Sequence, residues 1–459
     1  MSSIPEARNE LAPGGLNETH DPLRRSWVES ADDPRGDFPI QNLPFGIFRC
    51  DARAAPRAGV AIGDRILDLA AARGAGLFRG VAAEAAEAVT GPTLNALMGM
   101  PRAAVSALRA RVSELLSSKG VDSSAVRRLA ATLLLPMEAV EMCLPAAIGD
   151  YTDFSCSYTH MGGMRAGEPA ATFFQFPIGY HGRASSIRVS GFPVRRPTGQ
   201  WLSSGSLPAA GRGGPPPRMS YGPEPRLDFE FEFAAFIGRG NALGMPIGVD
   251  AAADSIFGYC LLNDWSARGI QMLEMSGLGP FLGKSFLTTI SPWVVTDEAL
   301  APFRTVRPAR RPNEARVPAH LDSQRDAKAG NLDIELTASL QTREMRASGI
   351  AEVRFVETNL RHLYWTFAQM IAHHTSNGCD LRPGDLLATG TVSGPEVQGR
   401  ACFAEINERG TKPLELPGKS RRVWLEDGDE LTLRARASRD GFVSLGFGEC
   451  RGCVAASPT

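Results

Sequence analysis

Leu227-Asp228-Phe229-Glu230-Phe231-Glu232-Phe233 alternates without a break. Side chains of a strand leave opposite faces in turn, so Phe229, Phe231 and Phe233 fall on one side and Glu230 and Glu232 on the other, about 7 Å apart. A solvated face is the ordinary explanation of such an acidic pair. Here the chain continues Ala234-Ala235-Phe236-Ile237, and that apolar continuation puts the strand inside the protein. Two carboxylates in an apolar interior repel each other and lose their hydration, so they need a cation beside them. A hard cation such as Ca2+ or Mg2+ takes oxygen ligands gathered from several parts of a chain.

Two more acids are placed to supply them. Asp153 lies in Asp150-Tyr151-Thr152-Asp153-Phe154, just past a glycine, and Asp264 ends the apolar run of Leu261-Leu262-Asn263-Asp264-Trp265. A carboxylate at the end of a buried strand suits an active site, although Asp264 reads nearly as well as a helix N-cap. Gly283-Lys284-Ser285 looks like the end of a phosphate-binding loop. That motif needs a glycine at 278, where Leu278 stands, so nucleotide binding is rejected. Lys284 follows a bend from Gly277 to Gly283 that could hold its ammonium near a metal.

Around this centre the chain divides by texture. Residues 1–25 mix Pro, Gly, Asn and charges; they read as a loose extension without the basic-then-apolar order of a signal peptide. Residues 26–145 form a first unit, with two short strands across Phe45–Leu69 about a turn at Gly63-Asp64, then Ala-rich helical spacing from Ala70 to Ala131. From 146 to 459, short strands punctuated by Gly and Pro dominate. Within that span Ser203–Arg218 and Ala301–Asn331 read as surface loops. Asn359–Thr375 reads as a helix with Leu360, Leu363, Tyr364, Phe367, Met370 and Ile371 on one face.

The bulk properties exclude several function classes. A chain of 459 residues, 43% of them hydrophobic, has room for two or three domains and a sizeable core. Lys plus Arg (49) balances Asp plus Glu (50), so no net field draws the chain to nucleic acid or an anionic membrane. Its apolar runs fall short of the roughly 20 residues that span a bilayer. The eight cysteines, scattered singly apart from Cys450 and Cys453, fit thiols in a reducing compartment better than a disulfide framework. The lone CxxC at 450–453 reads as structural rather than as a zinc site. A cytoplasmic enzyme with a small-molecule partner, and with neither nucleic acid nor membrane, is the expectation.

Beyond the acids, a series of blocks is distinctive: Asp150 to Phe154, Gly179-Tyr180-His181-Gly182-Arg183-Ala184-Ser185-Ser186, Asn263-Asp264-Trp265-Ser266-Ala267-Arg268, Gly279-Pro280-Phe281-Leu282-Gly283-Lys284-Ser285, Leu381-Arg382-Pro383-Gly384-Asp385-Leu386-Leu387 and Gly410-Thr411-Lys412-Pro413. In this order they resemble the signatures of the fumarylacetoacetase family, with similarity running from Asp37-Phe38-Pro39-Ile40 to Gly446-Phe447-Gly448-Glu449-Cys450. The resemblance implies a mainly β fold with some α: a small SH3-like barrel N-terminal domain and a mixed β-sandwich-roll catalytic domain, assembled as a homodimer. It implies Ca2+ or Mg2+ held at Asp153, Glu230, Glu232 and Asp264, with Lys284 and Thr288 at the same metal site. His160 is implied as general base and Glu405 as the carboxylate that orients it. Arg268, Gln271 and Lys284 are implied as donors to the oxyanion and the departing carbanion, and Arg165, Tyr180, Gln271 and Thr391 as substrate contacts. Arg268 and Gln271, three apart, share a face if their segment is helical. Without the family, Glu405 would be an anonymous strand residue and Gly390 a tight turn.

The implied reaction is hydrolysis of the C–C bond of a β-diketo acid, 4-fumarylacetoacetate, to fumarate and acetoacetate. Four departures bear on the substrate. Ser155 and Met275 stand where the family has substrate-binding tyrosines, leaving Tyr158 as a neighbouring phenol that could reach in. The stretch after His160 is shorter, so Arg165 matches the family's carboxylate-binding Arg only across a gap, and Gly269 replaces an Asp. A second reading is therefore a hydrolase or decarboxylase of another β-diketo or acylpyruvate acid at the same metal site. A third, a non-catalytic binding module, has no use for a general base, and His160 with Glu405 argues against it.

Overall fold

The structure, a computed structural model, describes residues 15–163, 167–204, 218–275, 277–312 and 314–458. The strand Phe231–Ile237 runs through the middle of an eight-stranded mixed sheet. Its antiparallel neighbours are Ile256–Asp264 on one side and Leu386–Ala388 on the other. Beyond Leu386–Ala388 come Tyr151–Ser155, parallel to it, and then Ile178–Gly182. Beyond Ile256–Asp264 come Thr288–Ile290 and Ile187–Val189.

The quoted stretch is not one strand, since Leu227–Asp228 pairs with Ser266–Ala267 and the central strand begins at Phe231, but its alternation is used on both faces. Phe229, Phe231, Phe233, Ala235 and Ile237 enter one core, shared with a second, six-stranded sheet that includes Ile334–Gln341, Val353–Asn359, Glu430–Ala437 and Cys450–Ala455. There the Phe233 ring packs on Phe447 and Tyr259, with centroids 5.1 and 5.6 Å away. Ala234 and Phe236 point the other way, into a core they share with the N-terminal unit. Every residue from 227 to 238 is buried. Burying a phenylalanine contributes about 1.5–3 kcal/mol, so this strand anchors both layers.

The N-terminal unit is a five-stranded antiparallel meander, in the order Leu134–Pro136, Arg65–Asp68, Arg57–Ile62, Phe45–Arg49, Glu141–Cys143. Three strands, not two, occupy Phe45 to Asp68; the turn at Gly63-Asp64 is where it was expected, with Gly63 at φ 56°. The Ala-rich stretch forms helices, including Leu69–Gly74, Val81–Glu87 and Arg102–Leu116. Asp68 ends its strand and caps the first of these by accepting from the Ala70 and Ala71 N–H groups.

Three expectations are corrected. Residues 15–25 are not loose: Asn17 caps the turn Glu18–His20, Thr19 and His20 are buried, and buried Arg109 donates to the Thr19 hydroxyl. Residues 1–14 lie outside the described residues. Ala301–Asn331 is not a bare loop, because Arg304–Thr305 pairs with Asn331–Leu332 and a helix, Gln324–Ala329, is capped by Ser323. Its Pro and Arg content masked these short pieces. The helix expected from Asn359 starts only at Phe367, where Thr366 and Gln369 form a capping box; Asn359 itself ends a strand. Of the expected loop Ser203–Arg218, residues 205–217 lie outside the described residues, between the hairpin arms Thr198–Ser204 and Arg218–Pro223.

Candidate active site

The central sheet gathers the acids by register. Asp153 pairs with Ala388 on one side and Tyr180 on the other, while Asp264 pairs with Thr288. Asp264 is thus the last residue of its strand and not a helix cap; Ala267 precedes the helix Arg268–Glu274. Oxygens of Asp153, Glu232 and Asp264 lie within 4.8 Å of one another, all buried. Asp153 Oδ1 and both Glu232 oxygens are buried without a hydrogen-bond donor. Unpaired carboxylate oxygens in an interior are costly, and three converging acids, two of them with free oxygens, match the donor set of a hard dication.

Glu230 is set apart from this trio. Its oxygens are taken by two cations, Lys284 Nζ and Arg268 Nη1, the latter at 2.6 Å. Lys284 also reaches Asp264 Oδ2 at 2.7 Å, and the Tyr180 hydroxyl donates to the same oxygen at 3.0 Å. Thr288 Oγ1 donates to Asp264 Oδ1 at 3.4 Å. The bend before Lys284 lies tight on the Arg268–Glu274 helix: a Cβ at Gly283 would come within 2.7 Å of the Gln271 Cβ.

These contacts divide the charges. Burial, and then repulsion from Asp264, pushes Asp153 up; burial and repulsion from Asp153 push Glu232 up, and burial raises Asp264. Glu230 goes the other way, because Lys284 and Arg268 outweigh its burial. Lys284 is raised in turn, Asp264 and Glu230 overcoming its own desolvation. A carboxyl raised by folding stabilises the fold below its unfolded value, near pH 4, and that contribution is lost as pH rises through the raised value. Without a cation the trio therefore weakens the fold above about pH 4, and a bound dication must displace its protons. Mg2+ is expected to bind more tightly at pH 8 than at pH 5, with proton release. Calorimetry in buffers of different ionisation enthalpy reads this directly, and pH-independent affinity would contradict it.

The second half of the site is a dyad. His160, in the short helix Tyr158–Gly163, places Nδ1 3.0 Å from Glu405 Oε2. Glu405 sits in the helical turn Phe403–Ile406, not in a strand. Ser393 Oγ at 2.6 Å and the Cys402 thiol at 3.3 Å donate to the same Oε2. Although burial would raise it, the His160 ring beside it and these donors hold Glu405 below the usual carboxylate range. Ser157 supports both members: its hydroxyl accepts from the His160 N–H and donates to the Ser393 carbonyl. Sequence reading missed Ser157, Ser393 and Cys402, and no local pattern marks them.

Arg268 and Gln271 do share a helical face, Arg268 Nη1 donating to Gln271 Oε1 at 3.0 Å, while Arg268 Nη2 is buried without a partner. Thr391 Oγ1 is likewise buried and unpaired. Gly390 before it has φ 72°, and a Cβ there would meet the Phe154 carbonyl at 2.1 Å, so only glycine lets the chain pass. Arg165 lies outside the described residues. Met275 is 60% exposed. Tyr158 does not turn toward the acids: its hydroxyl engages Glu168 and Arg311 on the wall of an open cleft of about 810 Å3 that Glu405 also lines.

A row of buried acids with free oxygens beside a His–Glu dyad is the equipment of a metal-assisted hydrolase. Residues 151–455 match the family described as fumarylacetoacetate (FAA) hydrolase C-terminal, and residues 41–145 match fumarylacetoacetase N-terminal. The chain belongs to the fumarylacetoacetate hydrolase family. It is 43% identical to a fumarylacetoacetase of Oryza sativa subsp. japonica, over 94% of this chain and 97% of that one. The fumarylacetoacetase of Arabidopsis thaliana is 43% identical over 95% and 99%, and that of Homo sapiens 41% identical over 94% and 98%.

Proposed function

We propose that this chain hydrolyses 4-fumarylacetoacetate to fumarate and acetoacetate, the last step of tyrosine and phenylalanine breakdown. The carrying observation is the His160–Glu405 dyad in the same protein as three converging buried carboxylates, two of which, Asp153 and Glu232, keep oxygens without a donor. Asp153, Glu232 and Asp264, and Glu230 where an ion displaces Lys284 from it, would hold Ca2+ or Mg2+, with Lys284 and Thr288 beside them; the bound ion supplies polarisation of the substrate's carbonyl. His160 takes a proton from water through its free ring nitrogen, and Glu405, ionised and hydrogen-bonded at Nδ1, fixes the tautomer and balances the imidazolium. Water oxygen adds to the carbonyl carbon, and the new oxyanion meets the unpaired Arg268 Nη2. Lys284 and Gln271 stand beside that charge as it passes to the leaving carbon. The C–C bond then breaks, and the carbanion takes up the proton that His160 received. Tyr180, Thr391 and Arg165 are assigned to substrate binding.

The reading extends to organisation. Residues 26–145 and 146–459 are assigned as the N-terminal and catalytic domains. A homodimer is supported by the exposed apolar side chains Met272, Met275, Leu278, Phe281 and Leu282, which flank the segment bearing Gln271 and Lys284. A cytoplasmic location is supported by eight unpaired thiols, and no helix among the described residues is long and apolar enough to cross a membrane.

One observation favours a second reading, a different β-diketo or acylpyruvate acid: Ser155 and exposed Met275 supply no phenol. The test follows loss of the diketo absorbance of fumarylacetoacetate, with and without chelator and Mg2+, beside other acylpyruvates. Turnover of the others alone would overturn the first reading. Ser155→Tyr is expected to lower KM for fumarylacetoacetate about tenfold, the worth of one hydrogen bond to a carboxylate. An unchanged KM would show that no phenol is missing there.

A further inference from the structure

Asp228 belongs to the same alternating stretch as Glu230 and Glu232, in the short strand Leu227–Asp228 that pairs with Ser266–Ala267, yet neither the cation nor the proton transfer uses it. It is fully buried, and four donors converge on its two oxygens. Arg268 Nε donates to Oδ2 at 2.8 Å and the Phe229 N–H to Oδ1 at 2.8 Å. The other two donors come from far along the chain: the Phe403 N–H to Oδ1 at 2.7 Å and the Ala404 N–H to Oδ2 at 3.0 Å. These last are the opening N–H groups of the turn Phe403–Ile406, which have no partner within a helix. Cys402, the N-cap residue, makes no side-chain cap, since its thiol goes to Glu405. Asp228 caps that turn from another strand.

The same carboxylate therefore touches both halves of the site. On one side it holds the Arg268 plane, whose Nη1 goes to Glu230 and Gln271 and whose Nη2 is left unpaired. On the other it holds the turn that carries Glu405 to His160. We propose that Asp228 is a positioning residue that sets the oxyanion donor Arg268 and the orienting carboxylate Glu405 together. This rests on the hydrolysis proposed above. An asparagine of the same shape has one acceptor oxygen for four donors, and its NH2 would confront an N–H.

Asp228→Asn is expected to lower kcat about 100-fold, comparable to loss of one oxyanion donor. KM and Mg2+ affinity, the latter by calorimetry, are expected to stay within about threefold. Since Asp228 acts through Arg268 and Glu405, the double variants with Arg268→Gln and with Glu405→Gln should fall no more than about threefold below the worse single variant. A kcat within threefold of wild type overturns the proposal, as do losses that multiply in either double variant. Hydrogen exchange on the wild-type protein covers the case in which Asp228→Asn does not fold. The Phe403 and Ala404 amides are expected to be protected at least about 100-fold, and exchange at the free-peptide rate overturns the cap. That measurement needs no turnover, so its failure is distinct from failure of the hydrolysis reading.

Discussion

His160→Ala is expected to lower kcat for fumarylacetoacetate by about 100- to 10,000-fold, the range in which a positioned general base contributes. Mg2+ affinity should hardly change, because the converging oxygens of Asp153, Glu232 and Asp264 are supplied by strands of the central sheet. The fold should survive as well, since Glu405 keeps Ser393 and Cys402 as donors when the imidazole is gone. Glu405→Gln should cost less, because water can still lose its proton to a ring that is merely worse oriented. The check is single-turnover loss of the diketo absorbance, with bound Mg2+ measured in the same samples. Wild-type rates in the alanine variant would remove the dyad from the chemistry.

Glu232→Gln is expected to weaken Mg2+ binding at least about 100-fold, because one of three converging charges is lost at a buried site. A second effect has the opposite sign. In the metal-free protein Glu232 is fully buried with both oxygens unpaired and is repelled by Asp153 and Asp264. Removing that acid should raise the metal-free melting temperature, by an amount corresponding to about 1–3 kcal/mol. The variant should thus melt above the chelated wild type and below the Mg2+-loaded wild type. Melts with and without chelator, run beside calorimetry, separate the two effects. Unchanged Mg2+ affinity would exclude Glu232 as a ligand.

The parts of this site legible in the sequence were those written in local pattern. Alternation at 227–237 announced a buried strand and its acids, and the end of an apolar run announced Asp264. Spacing of three placed Arg268 and Gln271 on one helical face. What stayed hidden depends on partners distant in the chain. Glu230 looked equivalent to Glu232, and only the arrival of Lys284 and Arg268 separates them. Glu405 lies on a turn of four residues, too short to show a period, and its cap comes from Asp228. The helix start at Phe367 was overshot because Leu360 and Leu363 enter the same core as the helix and so extend its apolar pattern backwards.

One consequence of the central strand concerns how this protein could change. Every side chain between 227 and 237 is buried: the odd positions fill the inter-sheet core, and the even ones are either charged machinery or the floor beneath the N-terminal unit. Such a segment has no spare position at which selection or an engineer could experiment without disturbing either rigidity or charge. New substrate preferences must be sought at its margins, where Ser155 ends a neighbouring strand and Met275 stands in the open, each replaceable without touching that spine.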